Sequence, residues 1–205
     1  MQDLNKALAD IADIRLQLTA GTMFRGFGPA VIAITGLMAL GLASVQFFAF
    51  EQAMREPALF LAAWSAVALA AAGLIGVEMF ARTRRHHSGL ADAMLFKAVE
   101  NFLPMAAAGA AVGFTLLHFA PDTTWLLPGL WQILVSLGLF TAVRFLPRAV
   151  VLAAAWYFIS GIVVMALTAS QRELTPWAMG LPFGIGQLLL AAILRVAYGD
   201  EDGSA

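Results

Sequence analysis

The side chains of this chain that could do chemistry fall into three sets. The histidines His86, His87 and His118 could ligate a metal or a haem. The acids Glu78 and Glu100, with Asn101 and the bases Arg144 and Arg195, could move protons or hold a charged group. Gln132 and Gln187, with a few serines, could hydrogen-bond a neutral solute. Around them lies a chain of 205 residues that is 61% hydrophobic and only 12% charged, with a mean hydropathy of +0.83. Soluble domains are nearer half apolar, so the bilayer is the solvent here.

The histidines cannot share a centre. His86 and His87 fall in a basic loop between two apolar runs, and His118 falls one turn from the opposite membrane edge. A helix of that length separates them by on the order of 25 Å. Adjacent His86 and His87 also lack the i,i+4 spacing and the carboxylate company of a helical metal site. A solvated basic loop is the simpler reading, and no metal or cofactor is expected. The chain has no cysteine, which removes disulfides, thiolate catalysis and thiolate-bound metals together. It also carries no GxSxG elbow, HExxH, P-loop or GxGxxG, so no enzymatic activity is expected. A net charge of -1 excludes a broadly basic surface and, with it, nucleic acid as a partner.

The charged set lies at the ends of apolar runs, and none of it lies at a bilayer centre. Proton and ion carriers place a carboxylate or a broken helix near the midplane. Glu78 precedes Arg82 by four residues, the order that favours an i,i+4 pair. Pro104 cannot donate to the carbonyl of Glu100, so Glu100, Asn101 and a free carbonyl converge at one membrane edge. The expected role of this set is a charge network, Glu78 or Glu100 against Arg144 or Arg195, fastening one end of a helix bundle.

The elements that position these residues are read from hydropathy and punctuation. The expected fold is all-α and polytopic, a single membrane domain over 1–205. Its six spans run over about 29–50, 57–80, 102–120, 125–143, 149–167 and 176–198. Pro29, Pro57 and Pro176 suit first-turn positions, where a missing N–H costs nothing. Ahead of the spans, Leu4, Leu8, Ile11, Ile14 and Leu18 recur at helical spacing, which predicts an amphipathic helix over 1–20. Three acids against two bases on that helix argue against binding to anionic lipid and for packing on the bundle or on a partner helix.

Basic residues fix the orientation. Lys6, Arg15, Arg25, Arg82, Arg84, Arg85, Lys97, Arg144, Arg148 and Arg195 fall on one side, and only Arg55 and Arg172 fall on the other. The first side is therefore expected to be cytoplasmic, with both termini on it. The alanine-, glycine- and arginine-rich composition resembles that of bacterial inner-membrane proteins. Small residues recur every fourth position in Ala68, Ala72 and Gly76, in Gly109 and Gly113, and in Gly180 and Gly184. Such stripes let helices approach closely in lipid, within one bundle or between copies of it.

Three classes of function fit this sequence. The first is a non-enzymatic accessory or regulatory subunit that engages a protein partner through residues 1–20 or the 82–88 loop. The second is a transporter or channel for a small neutral or weakly polar solute, lined by Gln132, Gln187 and the serines. The third is an enzyme, which would need a cavity with two or more ionisable groups at one depth.

Overall fold

The structure is a computed structural model that describes residues 28–49, 56–86, 91–144 and 146–202. The expected amphipathic helix over 1–20 and the side chains of the 82–88 segment and of Asn101 lie outside the described residues. Six α-helices account for nearly all the rest: α1 Pro29–Ala49, α2 Pro57–His86, α3 Ala91–Phe119, α4 Leu127–Ala142, α5 Val150–Thr168 and α6 Pro176–Asp202. A 3-10 helix, Pro121–Leu126, leads into α4. Six helical segments are long and apolar enough to cross a membrane, as expected, from Pro29–Phe48 through Pro176–Gly199.

Two boundaries, the end of α2 and the start of the fourth span, differ from expectation, each for a local reason. Helix α2 continues beyond Phe80 to His86, so Arg82, Arg84 and Arg85 extend a helix where a loop was expected. Hydropathy ends at the membrane edge, but arginine is a good helix former and nothing there stops the helix. Helix α3 is continuous from Ala91 through Pro104 to Phe119, joining the stretch before Phe102 to the third span. The fourth span opens at Pro121 as a 3-10 helix, ahead of the expected start at Trp125. Thr123 Oγ1 donates to the Ala120 carbonyl at 2.7 Å and Thr124 Oγ1 to the Pro121 carbonyl at 2.8 Å. Pro128 has no N–H for the Thr124 carbonyl, so regular α-helical bonding is established only beyond it.

Close backbone approach builds the core. The most extensive packing is between α1 and α6 and between α4 and α5, and α5 joins the two pairs by packing on α6. At the first contact, a Cβ on Gly36 would lie 2.9 Å from the Cβ of Gln187 and 3.0 Å from the Gly184 carbonyl. Gly180 and Gly184 meet Ala43 and Leu40 in the same seam. At the second, a Cβ on Gly161 would lie 2.7 Å from the Gly129 carbonyl, and one on Gly129 would lie 2.6 Å from the Gly161 carbonyl. With no hydrophobic force between helices in lipid, dispersion gained at such approaches is a main source of cohesion.

Two apolar clusters fill the space between these helices. Ile32, Leu139, Val150, Tyr157 and Leu194 form one, and Ala43, Phe60, Trp64, Leu127 and Met179 form the other. Helix α2 enters only the second, through Phe60, Leu61 and Trp64 near its start, and α3 packs against that cluster through Val112, Leu116 and Leu117. Only 17% and 6% of their most apolar stretches are buried, against 33% to 50% for the other four spans. They flank a four-helix core of α1, α4, α5 and α6.

Candidate functional site

The densest set of polar contacts in the core surrounds a glycine- and proline-rich stretch of α6, Gly180 to Gly186. Pro182 lies inside the helix and cannot supply the hydrogen bond that the Ala178 carbonyl would otherwise accept. Gln132 supplies it from α4, with Nε2 2.8 Å from the Ala178 oxygen. A carbonyl only accepts, so this contact fixes which end of the Gln132 amide faces α6. One turn further along α6, Trp156 Nε1 on α5 donates to the Pro182 carbonyl at 2.9 Å. The Tyr157 hydroxyl donates to the Phe183 carbonyl at 3.4 Å. Gly186 admits the tyrosine ring, since a Cβ there would lie 2.6 Å from its hydroxyl. The ring also packs on Phe183, with centroids 5.4 Å apart and planes inclined by 54°. Two helices thus supply three side chains to the interrupted backbone of a third, as a broken helix in lipid requires.

Gln132 and Ser136 stand one turn apart on α4, and both are 0% exposed. Gln132 Oε1 and Ser136 Oγ have no hydrogen-bond partner among the described residues. Other helical hydroxyls satisfy themselves locally: Thr35 donates to Ile32, Ser44 to Leu40, Ser160 to Tyr157 and Thr168 to Val164. Ser136 makes no such bond.

The structure places the remaining expected site residues apart from this one. Gln187 is half-buried and packs by its Cβ against Gly36 of α1. Its distance from Ala178 along α6 is about 13 Å at the usual helical rise, so the two glutamines do not line a common surface. Glu78 is half-buried near the end of α2, and Glu100, Arg144 and Arg195 are exposed. Neither Glu78 nor Arg144 lacks a partner. His118, exposed at the end of α3, stacks on Phe114 with ring centroids 4.2 Å apart. No group of three or more metal-ligating side chains occurs among the described residues.

Tryptophans are the residues whose role sequence reasoning missed. Trp64, Trp125, Trp131 and Trp177, near the outer ends of spans, suggest an interfacial belt with Trp156 as the exception, yet Trp64 and Trp131, like Trp156, tie helices together. Trp64 Nε1 on α2 donates to Gln46 Oε1 on α1 at 3.0 Å, and both residues are buried. Trp131 Nε1 on α4 donates to the Gly109 carbonyl on α3 at 3.0 Å, and Trp156 completes the set on α6. Gly109 and Gly113 face the Trp131 ring, where a Cβ would lie 3.5 to 3.6 Å from it, in ordinary van der Waals contact.

Outside the core, a groove of about 270 Å³ separates α2 from α3, lined by Ala58, Leu61, Ala62, Ser65 and Phe114 with Trp131 at its base. Its walls are small and apolar, suited to a hydrocarbon chain or a packed side chain. The core site offers neutral donors and acceptors: an amide, a hydroxyl, an indole and a phenol. Comparison with known protein families, curated proteins and solved structures gave no match.

Proposed function

We propose that this chain is a non-enzymatic subunit of a cell's inner (plasma) membrane, accessory or regulatory, that acts through a protein partner packed against α2 and α3. The observation that carries this reading is the character of two exposed faces. On α5 the surface is made of large side chains, Leu152, Ile159, Ile162 and Leu167, which suit contact with lipid. On α2 and α3 exposed large side chains such as Leu69, Val77, Leu103 and Phe114 alternate with a run of small ones, Ala66, Ala68, Ala72, Gly73, Ala106, Ala107, Ala110 and Ala111. Small residues gather where helices meet in a membrane, and here the described helices leave that face largely uncovered. Residues 1–20 and the basic 82–88 segment, both on the side that the positive-inside rule makes cytoplasmic, give such a partner a second point of attachment.

Gentle-detergent purification from the native membrane, followed by mass spectrometry, tests the proposal. A partner at fixed stoichiometry that is lost on deleting residues 1–20, or on enlarging Ala72 to leucine, is the expected result. A stable particle of this chain alone would overturn it.

A second reading, a transporter or channel for a small neutral solute, draws support from the Pro182 interruption and from unpartnered Gln132 Oε1 and Ser136 Oγ in the core. Against it, helices meet at backbone contact at Gly129 with Gly161 and at Gly36 with Gly184, which closes the region around the site. Solute flux into liposomes holding the purified chain, abolished by Gln132→Leu, would favour this reading over the first.

A further inference from the structure

We infer that Gln132 and Ser136 hold a single buried water molecule in the core, a binding site that extends the α4 clamp on the interrupted α6. Three observations converge on it. Both side chains are 0% exposed, and the polar atoms left over, Gln132 Oε1 and Ser136 Oγ, are unpartnered among the described residues. The Gln132 amide is anchored by its Nε2 on the Ala178 carbonyl, which leaves Oε1 as a fixed acceptor. The two residues stand four apart on one helix, so their Cβ atoms are about 6 Å from each other. One water between the two groups would donate to Oε1 and accept from the serine O–H, with its second hydrogen directed to a neighbouring backbone carbonyl.

The energetics favour occupancy. In lipid no bulk solvent relieves a buried unpaired polar atom, and pairing two such atoms at once outweighs the cost of ordering one water. Ser136 could have donated to its own helix, as Thr35, Ser44, Ser160 and Thr168 do, and it does not. The ligand is water and not a larger solute because Gly129 and Gly161 bring α4 and α5 to backbone contact close by, where even a Cβ at Gly161 would lie 3.3 Å from that of Gln132.

Ser136→Ala gives opposite signs for a wet and a dry site. At a dry site it deletes an unpaired hydroxyl and raises Tm in detergent. At a hydrated site it removes half of the water's anchorage and lowers Tm, by about 3 °C for a chain of this size. We expect the lower Tm in the full-length protein and no further loss from Ser136→Ala in a Gln132→Met background, because the two groups act through one water. A Tm that rises or stays unchanged, or losses that add in the double variant, would overturn the inference. Should Gln132→Met fail to fold, an experimental map that resolves ordered waters decides it by density between Oε1 and Oγ, or by its lack.

Discussion

The two halves of this bundle use the same residue types to opposite ends. In the core, Gly36, Gly129, Gly161, Gly180 and Gly184 are spent on contact: a Cβ at any of them would meet a neighbouring helix at 3.0 Å or less. On α2, Gly73 and Gly76 would meet nothing within 4 Å, and Ala68 and Ala72 lie exposed on the surface. A small residue removes a barrier to approach but supplies no attraction of its own. Its meaning depends on whether another helix has arrived. The core glycines therefore report how the bundle holds together, and those of α2 lie on a face that the described helices leave open.

Substitutions that enlarge these residues should separate the halves, and the core should suffer most. Gly161→Leu forces a side chain onto the Gly129 carbonyl and the Ile133 side chain. We expect a loss of about 3 kcal/mol, or no monodisperse protein, read by thermal unfolding and size-exclusion chromatography. Gly76→Leu on α2 should leave the isolated bundle within about 0.5 kcal/mol of wild type while abolishing co-purification of the partner. Equal damage from both substitutions would remove the distinction.

Polar contacts divide in the same way. Gln132→Leu strips the Ala178 carbonyl of the donor that replaces the missing Pro182 N–H, and should cost about 2 kcal/mol in reversible unfolding. Ser65→Ala, in the wall of the α2–α3 groove, should cost nothing measurable in the same assay. Gln46→Leu removes the acceptor that ties α1 to the Trp64 N–H on α2. A loss of about 1 kcal/mol is expected in the same assay, and no loss would mean that α2 is held by apolar packing alone. With the opposite sign, Gly73→Ala should stabilise the isolated chain by about 0.5 kcal/mol through helix propensity, since the position is open. A loss would show that α2 is covered within the monomer.

Much of the fold was legible because its cause is local. Long apolar runs and first-turn prolines at Pro29, Pro57 and Pro176 place the spans to within a few residues. The end of α2 was not legible in this way, because the helix through Arg82 to His86 rests on propensity and not on hydropathy. Three small-residue stripes could be read off, but not which way each one faces. The structure turns Gly180 and Gly184 onto α1 and Gly109 and Gly113 onto Trp131, and leaves Ala68 and Ala72 outward. Facing depends on the rotation of whole helices, which no local pattern encodes.

The candidate site was half legible. Gln132 stood out as a polar residue in an apolar run, and Pro182 as a proline inside a span. Each implies the other, since a proline in lipid orphans the carbonyl four residues before it and some side chain must reach it. The same reasoning applied to Pro104 and Glu100 would have pointed from Pro182 to Ala178. The donor's identity was out of reach, because Gln132 is 46 residues away from Ala178 in sequence. The end charges were located by hydropathy alone. Which acid meets which base depends on long side chains at a wet boundary, where several pairings have similar energy.

Photocrosslinking in intact native membranes tests the central claim, that α2 and α3 are covered by protein where α5 meets lipid. A photoreactive residue is placed at Ala72 on α2 and, separately, at Ile162 on α5, both exposed on the bundle surface. The account predicts a discrete adduct, heavier by one partner chain, from Ala72 and lipid adducts alone from Ile162. Lipid adducts alone from both positions would contradict it.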